Sequence, residues 1–386
     1  MQPSSPPSPP HLHGVNYGGR FVPERWLGLP GMQELYGNAT AAGSQLSTCD
    51  MAVTAGAGRR MLNYLNASIR ENDFASIAMA GFNLVRLPLG YWHLVQPRSA
   101  PDAPAPTASR WEALQAMLPP DAYAPYIERV LSFSRAHGLR VLLDLHGAPG
   151  GQSTNQCTGC ATKSSEERYF DREANMAVAV QAITVMAQLC EANADTCYGI
   201  ELLNEPQINL DRRALLGFYQ RAIRAARGAA GLRPSAPIVV MDWVLQLDTF
   251  WTSHKDALGA LVPQARGAGA IQFETHIYVP FDYHSIGALE LQALPMLALL
   301  RRFAKAAGAN YPTFIGEWAL SRASGALSLE QVARWWYREA AQSTHSLGLA
   351  IWNFDGPGAW GAVVANRNGS ARSWWLSINH GAVGEY

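Results

Sequence analysis

The amino-acid sequence predicts an α/β protein with a single (β/α)8 TIM-barrel domain, and three observations support this fold class. The chain has 386 residues, of which 48% are hydrophobic, so it can bury one large core. From residue 70 onward, short apolar runs typical of buried strands alternate with longer helical patterns. With one further run near the N-terminus, eight strand-like segments occur, and regular alternation of strands and helices implies a parallel sheet. Eight such units favour a closed barrel, with a doubly wound open sheet as the second choice.

The predicted strands are short and apolar, and Gly or polar residues bound them. They comprise residues 13–19, 83–90, 140–147, 198–206, 237–243, 271–278, 313–318 and 348–356. Helical patterns lie between them, and several of these patterns end at Gly, as helices often do. Examples are residues 126–138, 173–190, 216–231 and 329–342. We therefore expect one domain over 13–386, preceded by a disordered lead over 1–12.

Charge and hydropathy exclude several classes of partner. The 30 Lys and Arg residues balance 30 Asp and Glu residues, so the chain lacks the basic field that nucleic acid or an anionic membrane requires. The most apolar helical stretch, 289–308, carries four charged residues and does not predict a transmembrane helix. The chain contains 12 Trp, 14 Tyr and 12 Phe, which suits a neutral partner with apolar faces, such as a sugar, although most aromatic residues fill cores. We expect a monomer.

The cysteines favour disulfides over a metal site. The CTGC stretch at 157–160 resembles half a zinc site, but no second such pair occurs. Cys190 and Cys197 bracket a short helix–strand connection, so we expect them to form a bridge in an oxidising compartment. Cys157 and Cys160 are the second candidate pair, which leaves Cys49 free. We expect no metal and no cofactor.

Secretion has only faint support in the sequence itself. The first ten residues lack the charged and apolar regions of a signal peptide. Sequons begin at Asn38, Asn66 and Asn368, where chance alone gives about one or two in a chain of this length.

Polar side chains follow the apolar residues at the ends of seven predicted strands. The C-terminal strand ends of a (β/α)8 barrel meet at one face, where active sites gather. Convergence of seven polar ends on that face is difficult to explain by solvation alone. The residues are Arg86, Asp144, His146, Asn204, Glu205, Asp242, Trp243, Glu274, His276, Tyr278, Glu317, Trp318, Trp352, Asn353 and Asp355.

Two of these carboxylates, Glu205 and Glu317, point to glycoside hydrolysis. They end the fourth and seventh predicted strands, which face each other across the barrel mouth. A glycosidase needs one protonated acid to assist the leaving oxygen and one ionised carboxylate for the anomeric carbon. The alternative is that each glutamate simply pairs with an arginine at the rim. Arg86 can keep one of the two ionised, because its guanidinium is permanently charged.

Five further side chains can serve such a site, although each alone is more often a structural residue. Asn204 can donate to a sugar hydroxyl or orient the acid, and Trp352 can form an apolar floor under a sugar. His146, His276 and Tyr278 supply hydrogen-bond donors around the nucleophile and the sugar ring.

With these residues in these positions, the sequence resembles glycoside hydrolase family 5, within the cellulase-like superfamily. The resemblance covers nearly the whole chain in the family order. Its motifs are LLNEP at 202–206, RLPLGYW at 86–92, LLDLHGAPGGQ at 142–152, THIY at 275–278, IGEW at 315–318 and IWNF at 351–354. Within the family, residues 14–27 (GVNYGGRFVPERWL) and 143–152 look most like the exo-β-1,3-glucanase branch.

The resemblance implies a retaining hydrolysis without a metal. Matched motif by motif, Glu205 is expected to be the acid/base and Glu317 the nucleophile. The subsite for the reacting sugar is expected to comprise Arg86, His146, Asn204, His276, Tyr278 and Trp352, and Glu24 is expected to contact that sugar's hydroxyls. The expected substrate is a β-glucan or another β-glucoside, with glucose released from β-1,3-glucan, and the expected location is secreted or cell-wall associated.

Two loops depart from the exo-glucanase pattern and leave the substrate open. They are residues 153–170 and 353–369. An endo-acting β-glucanase, a β-1,6-glucanase, a glucosylceramidase or a non-catalytic glucan-binding protein are the alternatives, but the last is disfavoured because both glutamates are present. Long segments at 20–69 and 150–170 can wall off the terminal sugar. Trp26, Trp92 and Trp360 are candidates to stack on sugar rings near the entrance, although any of them could instead be a core residue.

Overall fold

A computed structural model of the chain shows a closed barrel of eight parallel strands whose order around the barrel follows the chain. The predicted (β/α)8 fold is confirmed. The structure describes residues 12–99, 101–207, 210–241, 271–279, 311–320 and 348–354, with short pieces at 255, 258, 260–261, 294–295, 297–298, 300–302, 304–305, 338–339, 364–365 and 371–372.

The barrel strands coincide closely with the predicted apolar runs. They are β1 (Leu12–Asn16), β2 (Leu84–Gly90), β3 (Arg140–Gly147), β4 (Cys197–Glu201), β5 (Ile238–Met241), β6 (Ile271–Val279), β7 (Thr313–Leu320) and β8 (Gly348–Ile351). Two short strands, β9 (Val364–Ala365) and β10 (Ala371–Arg372), pair with each other outside the barrel. β4 ends at Glu201, so the predicted extension of this strand to residue 206 is wrong.

Eight α-helices lie among the described residues between β1 and β5. They are α1 (Met32–Tyr36), α2 (Thr48–Ala52), α3 (Ala57–Ser68), α4 (Glu71–Met79), α5 (Ala105–Met117), α6 (Pro120–Ala136), α7 (Glu173–Ala192) and α8 (Arg212–Arg227). Local chemistry sets their ends: α8 begins after Asp211, whose carboxylate accepts from the backbone of Arg213 and Ala214 at 2.7 and 3.1 Å. α6 ends just before Gly138, which has a φ of 69°. The helix predicted over 329–342 lies outside the described residues except for 338–339.

The barrel interior changes from apolar to charged along its axis. Side chains two residues apart on a strand share a face. An apolar layer fills the N-terminal end of the interior, formed by Leu12, Leu84, Leu142, Val239, Phe314 and Ala350. Two residues further along β2 and β3 stand Arg86 and Asp144, which are also fully buried. The apolar layer therefore forms a floor beneath a buried polar layer, and that layer lies just below the barrel mouth.

Two disulfides are present, and one of them corrects the sequence prediction. Cys190 and Cys197 are bridged with their Cα atoms 5.1 Å apart, which confirms the predicted pair. The predicted Cys157–Cys160 bridge is wrong, because Cys160 is bonded to Cys49 of α2, with Cα atoms 5.0 Å apart. Cys157 is a buried free thiol that lines the pocket at the barrel mouth, whereas Cys160 faces α2. The two cysteines of the CTGC stretch thus point to different parts of the molecule.

Two further predictions concern the membrane and the entrance tryptophans. Over the described part of the chain, no helix has the length and apolar character needed to cross a bilayer. Trp92 is 1% exposed, and a Cβ atom on Gly90, Gly147 or Gly159 would come within 2.3, 2.8 and 2.4 Å of its ring. Trp92 is therefore a core residue, and its predicted stacking at the entrance is wrong. Trp360 lies outside the described residues.

Candidate active site

A pocket of about 250 Å³ opens at the C-terminal end of the barrel. Its lining combines residues from the strand ends with residues from the two long segments that follow β1 and β3. The lining residues are Glu24, Trp26, Gln45, His146, Asn155, Gln156, Cys157, Asn204, Glu205, Tyr278, Glu317 and Trp352. Seven of the nine predicted site residues thus line one pocket, and the other two, Arg86 and His276, lie directly behind it.

Glu205 enters the pocket from an unusual backbone conformation. It lies four residues beyond the end of β4, with a φ of 41°. A non-glycine residue in the left-handed region costs about 1–3 kcal/mol and is concentrated at functional sites. The backbone N–H of Glu205 points to the sulfur of Met241 at 3.2 Å, at the end of β5. The fold therefore holds the Glu205 backbone in a conformation that directs its carboxyl group into the pocket.

Glu317 reaches the same pocket from the middle of β7. Arg86 Nη1 donates to its Oε1 at 2.7 Å, and the Tyr278 hydroxyl donates to its Oε2. Both carboxylate oxygens are therefore engaged by donors, which favours the ionised form.

The two glutamates are close together. One carboxylate oxygen of Glu205, one of Glu317 and one ring nitrogen of His276 all lie within 4.8 Å of one another. Retaining glycosidases separate their carboxyl groups by about 5–5.5 Å, and inverting enzymes by about 6.5–9.5 Å. An approach of two carboxylate oxygens within 4.8 Å is nearer to the retaining range than to the inverting range.

His276 lies between the two glutamates because its strand is paired with that of Glu317. In the register of β6 and β7, His276 is the direct partner of Glu317. Its Nδ1 is 2.8 Å from Glu205 Oε1 and 3.5 Å from Glu317 Oε2. On the other side of the ring, Nε2 is 3.3 Å from Glu274 Oε1. Burial lowers the pKa of His276 to about 4, so the ring is neutral at ordinary pH and carries one N–H.

Arg86 connects the pocket to the buried layer beneath it. Its Nε and Nη2 donate to the two oxygens of Glu201, each at 2.7 Å, in a bidentate pair. The same guanidinium donates to Glu317 and also, at 3.0 and 2.9 Å, to the side-chain oxygens of Asn16 and Asn204. All its donors are used inside the barrel, so its orientation is fixed.

Glu201 was missed by the sequence analysis. It lies within the apolar run YGIELL, where a charged residue in a buried strand is a signal for a buried partner. Its partner, Arg86, lies 115 residues away in the sequence. Glu201 is fully buried and does not line the pocket, so it supports the site through Arg86.

The pKa values of both pocket glutamates are raised. Burial raises the pKa of Glu205, and the nearby His146 and Arg86 partly oppose this shift. Burial likewise raises the pKa of Glu317, opposed by His276 and Arg86. Glu317 has two direct donors to stabilise its charge, whereas Glu205 has only His276 beside it. The environment therefore favours ionised Glu317 and protonated Glu205.

Glu24 and Trp26 form one wall of the pocket. Trp26 Nε1 donates to Glu24 Oε2 at 2.8 Å, and Trp26 as a residue is 41% exposed. Burial raises the pKa of Glu24 to about 8, so this carboxyl group is protonated at neutral pH. Its Oε1 has no hydrogen-bond partner among the described residues.

His146 and Trp352 form another part of the pocket lining. His146 Nδ1 is 2.7 Å from Asp144 Oδ2, and the imidazole stacks on Trp352 with ring centroids 5.6 Å apart and an interplanar angle of 4°. Gly18 permits this arrangement, because a Cβ atom there would lie 2.6 Å from the Trp352 ring. Asn353, which the sequence analysis placed with the polar strand ends, instead accepts from the Gly18 backbone at 2.8 Å and is structural.

Three buried polar atoms of the pocket residues have no partner among the described residues. They are Glu24 Oε1, His146 Nε2 and Asn204 Nδ2. Buried polar atoms are nearly always hydrogen-bonded, so these three atoms are available to a ligand that carries hydroxyl groups. Three residues that the sequence analysis placed at strand ends, Asp242, Trp243 and Asp355, lie outside the described residues.

The carboxylates of this site already have a buried positive charge beside them, the Arg86 guanidinium. The sequence prediction of a site without metal or cofactor stays a prediction.

Comparison with known proteins identifies a family and a fold. The family model for cellulase, glycosyl hydrolase family 5, matches residues 40–357. The chain is 26% identical over 309 residues to a probable glucan 1,3-β-glucosidase A of Aspergillus clavatus, which covers 80% of this chain and 64% of that protein. It is 34% identical over 199 residues to a glucan 1,3-β-glucosidase of Blumeria graminis, covering 50% of this chain and 41% of that protein. The chain thus spans about two thirds or less of these relatives.

Solved structures show the same fold at low sequence identity. The rutinosidase from Aspergillus niger superposes with a TM-score of 0.68 at 15% identity, covering 96% of this chain and 97% of that chain. An endo-β-1,4-glucanase from Xanthomonas axonopodis pv. citri superposes with a TM-score of 0.51 at 16% identity, covering 96% of each chain.

Proposed function

The chain belongs to the cellulase family, glycosyl hydrolase family 5, and from this premise we propose that it is a retaining β-glycosidase. Glu317 acts as the nucleophile and Glu205 as the acid/base. The observation that carries this assignment is the approach of the two glutamates within 4.8 Å. Arg86 and Tyr278 support it, because both donate to Glu317 and stabilise its carboxylate.

The reaction proceeds in two displacements. In the first, the Glu317 carboxylate attacks the anomeric carbon while protonated Glu205 gives its proton to the departing glycosidic oxygen. The carbon–oxygen bond breaks and a glycosyl ester of Glu317 forms. In the second, the Glu205 carboxylate takes a proton from water, the water oxygen attacks the anomeric carbon, and Glu317 leaves as a carboxylate. The sugar is released with its original anomeric configuration.

Replacement of the nucleophile tests this mechanism. Glu317→Ala should abolish turnover, and azide should restore some of it by forming a glycosyl azide of inverted configuration, because the small anion fills the vacated space. The product of the wild-type enzyme, followed by NMR in the first minutes, should keep the β configuration. A product with inverted configuration from the wild-type enzyme would refute the assignment.

For the substrate, we propose β-1,3-glucan, from whose non-reducing end glucose is released. The named relatives support this choice, since they are glucan 1,3-β-glucosidases by name. Glu24 is the residue expected to contact the hydroxyls of the terminal sugar. It lies in the pocket, and one of its carboxyl oxygens has no partner among the described residues. The segments that follow β1 and β3 contribute Trp26, Gln45 and Gln156 to the pocket, consistent with a wall beyond that sugar.

A time course on laminari-oligosaccharides labelled at the reducing end tests the substrate. Unlabelled glucose should appear first, and the labelled chains should shorten by one unit at a time. Internal fragments of several sizes at the earliest times would identify an endo-acting glucanase. Cleavage of pustulan or glucosylceramide without cleavage of laminarin would assign the substrate to the corresponding alternative.

We also propose that the protein works outside the cell or at the cell wall, as a monomeric domain over residues 13–386. The two disulfides support an oxidising compartment. Fractionation of the producing cells, with activity measured in medium, wall and lysate, tests the location.

A further inference from the structure

The buried layer under the pocket holds more negative charge than its arginine can balance. Four carboxyl groups lie around the Arg86 guanidinium. The nearest distances are 2.7 Å to Glu201, 2.7 Å to Glu317, 3.1 Å to Asp144 and 3.5 Å to Glu274. Glu317 is 3% exposed and the other four side chains are fully buried.

At least one of these carboxyl groups must carry a proton. With all four ionised, the layer would hold a net charge of −3 without water to solvate it. An ionised carboxylate that is buried without adequate partners costs several kcal/mol, and such groups take up a proton instead.

Glu274 has the weakest support for a negative charge. Glu201 has a bidentate pair with Arg86, and Glu317 has donors on both oxygens. Asp144 has closer contacts than Glu274, with Arg86 at 3.1 Å and His146 at 2.7 Å, but its Oδ1 has no donor among the described residues and burial raises its pKa to about 7. For Glu274, the contacts to Arg86 and to His276 are longer, at 3.5 and 3.3 Å, and its Oε2 has no donor among the described residues.

The groups that face Glu274 from the neighbouring strands also favour a proton on it. One carboxyl oxygen of Glu201, on β4, lies within 4.8 Å of one of Glu274, and Asp144 of β3 adds further negative charge. Burial and the charge of Glu201 raise the pKa of Glu274 well above its usual range, with Arg86 opposing. On β7, Gly316 leaves room for the group, because a Cβ atom there would lie 1.2 Å from Glu274 Oε1.

We propose that Glu274 is a neutral carboxylic acid in the working enzyme, that it shares its proton with Glu201, and that it is a positioning residue for Arg86 and His276. The proton forms a hydrogen bond between the two buried carboxyl groups. Glu201 can then keep its bidentate pair with Arg86, and the guanidinium stays oriented to donate to Glu317. Glu274 also lies behind His276, on the ring edge opposite Glu205. The proposal rests on the proposed function for its kinetic readout.

Two matched variants test the protonation state. Glutamine at position 274 keeps the shape, a donor and an acceptor, and matches the charge of a neutral acid. Glu274→Gln should therefore leave both limbs of the pH profile of kcat/KM within about 0.3 pH unit of the wild type. Glu201→Gln removes a true negative charge, which lowers the pKa of Glu205 and of Glu317, so both limbs should move to lower pH.

A third variant tests the positioning role. Glu274→Met keeps the volume but removes the donor to Glu201, and kcat should fall about 100-fold, while Glu274→Gln retains most of it. Infrared difference spectra of Glu274→Gln against the wild type should show the loss of one protonated carboxyl C=O band, a readout that does not depend on catalysis. Thermal unfolding of each variant confirms that it is folded.

Two results would overturn the proposal. One is a shift of the Glu274→Gln profile to lower pH, as expected of Glu201→Gln, because it would show that Glu274 is ionised. The other is an infrared spectrum in which no protonated carboxyl band disappears. Failure of the wild-type enzyme to cleave any β-glycoside would instead refute the proposed function, and the infrared measurement would still decide the state of Glu274.

Discussion

Replacing Tyr278 by Phe removes one hydrogen-bond donor to the proposed nucleophile, Glu317, and leaves the aromatic ring in place. In the structure the Tyr278 hydroxyl donates to Glu317 Oε2, while Arg86 donates to Oε1 at 2.7 Å. After the substitution, Oε2 keeps only the more distant His276 Nδ1, at 3.5 Å. The carboxylate of Glu317 therefore loses stabilisation, both in the free enzyme and when it leaves from the glycosyl ester.

The size of the effect follows from the strength of that hydrogen bond. A hydrogen bond to a charged group contributes about 1.5–3 kcal/mol, and one pKa unit corresponds to about 1.4 kcal/mol. Tyr278 is partly exposed, so water can replace its hydroxyl, and the lower end of the range applies. The pKa of Glu317 should rise by about 1 unit, and departure of Glu317 in the second displacement should slow about tenfold.

Steady-state and burst kinetics with an aryl β-glucoside measure both consequences. Glu317 must be ionised to attack, so a raised pKa moves the acidic limb of kcat/KM about 1 unit towards higher pH. Slow departure of Glu317 should produce a burst of the phenol followed by a slower steady rate. An unchanged acidic limb together with an unchanged kcat would refute the reasoning.

Tyr91→Phe is the matched control. Tyr91 is fully buried and its hydroxyl accepts from Gln115 Nε2 at 2.8 Å, away from the pocket lining. This variant should lose about 1–3 kcal/mol of stability through the unpaired amide and keep the wild-type pH profile.

The remaining predictions concern pH, metals and thiols. The pH profile of kcat/KM should be bell-shaped, with Glu317 setting the acidic limb and Glu205 the basic limb. Both macroscopic pKa values should lie above 4.5, the ordinary value for glutamate, because burial raises the pKa of each residue. A limb well below pH 4 would contradict the burial of that carboxyl group. Activity should survive treatment with EDTA, and complete loss restored by a metal would contradict a mechanism carried by the two glutamates. In the unreduced chain, a thiol reagent should label Cys157 alone, and only after unfolding. The reason is that its thiol is buried, and burial raises its pKa. Label found on any other cysteine by mass spectrometry would contradict the observed disulfide pairing.

The barrel could be predicted because its determinants are local. Each strand is a short apolar run, and the order of strands in a barrel simply follows the chain. The position of the site at the strand ends follows from the same rule, which is why Glu205 and Glu317 could be named before the fold was known. His276 and Tyr278 were found for the same reason, since both lie near the C-terminal end of β6.

Features that depend on distant contacts could not be predicted. The Cys49–Cys160 bridge joins residues 111 positions apart, whereas the spacing in the sequence favoured the short pairing of Cys157 with Cys160 and a free Cys49. The role of Glu201 required knowing that Arg86 points across the barrel interior. Trp92 was placed at the entrance because its burial depends on three glycines from different segments.

The bridge between Cys49 and Cys160 has a consequence for engineering the specificity of this enzyme. It joins α2 to the loop after β3, and the backbone of Cys49 also donates to the carbonyl of Gly159 at 2.8 Å. A Cβ atom on Gly43 would lie 2.2 Å from the carbonyl oxygen of Ala161, so the two chain segments are in direct contact. A loop transplanted from a relative into positions 153–162 alone would pack against a segment around 43–50 that does not complement it. If that loop lacked a cysteine, Cys49 would also be left unpaired. The segments around 43–50 and 153–162 therefore form one interchangeable cassette, and a library that recombines them together should yield more folded chimeras than one that exchanges either alone.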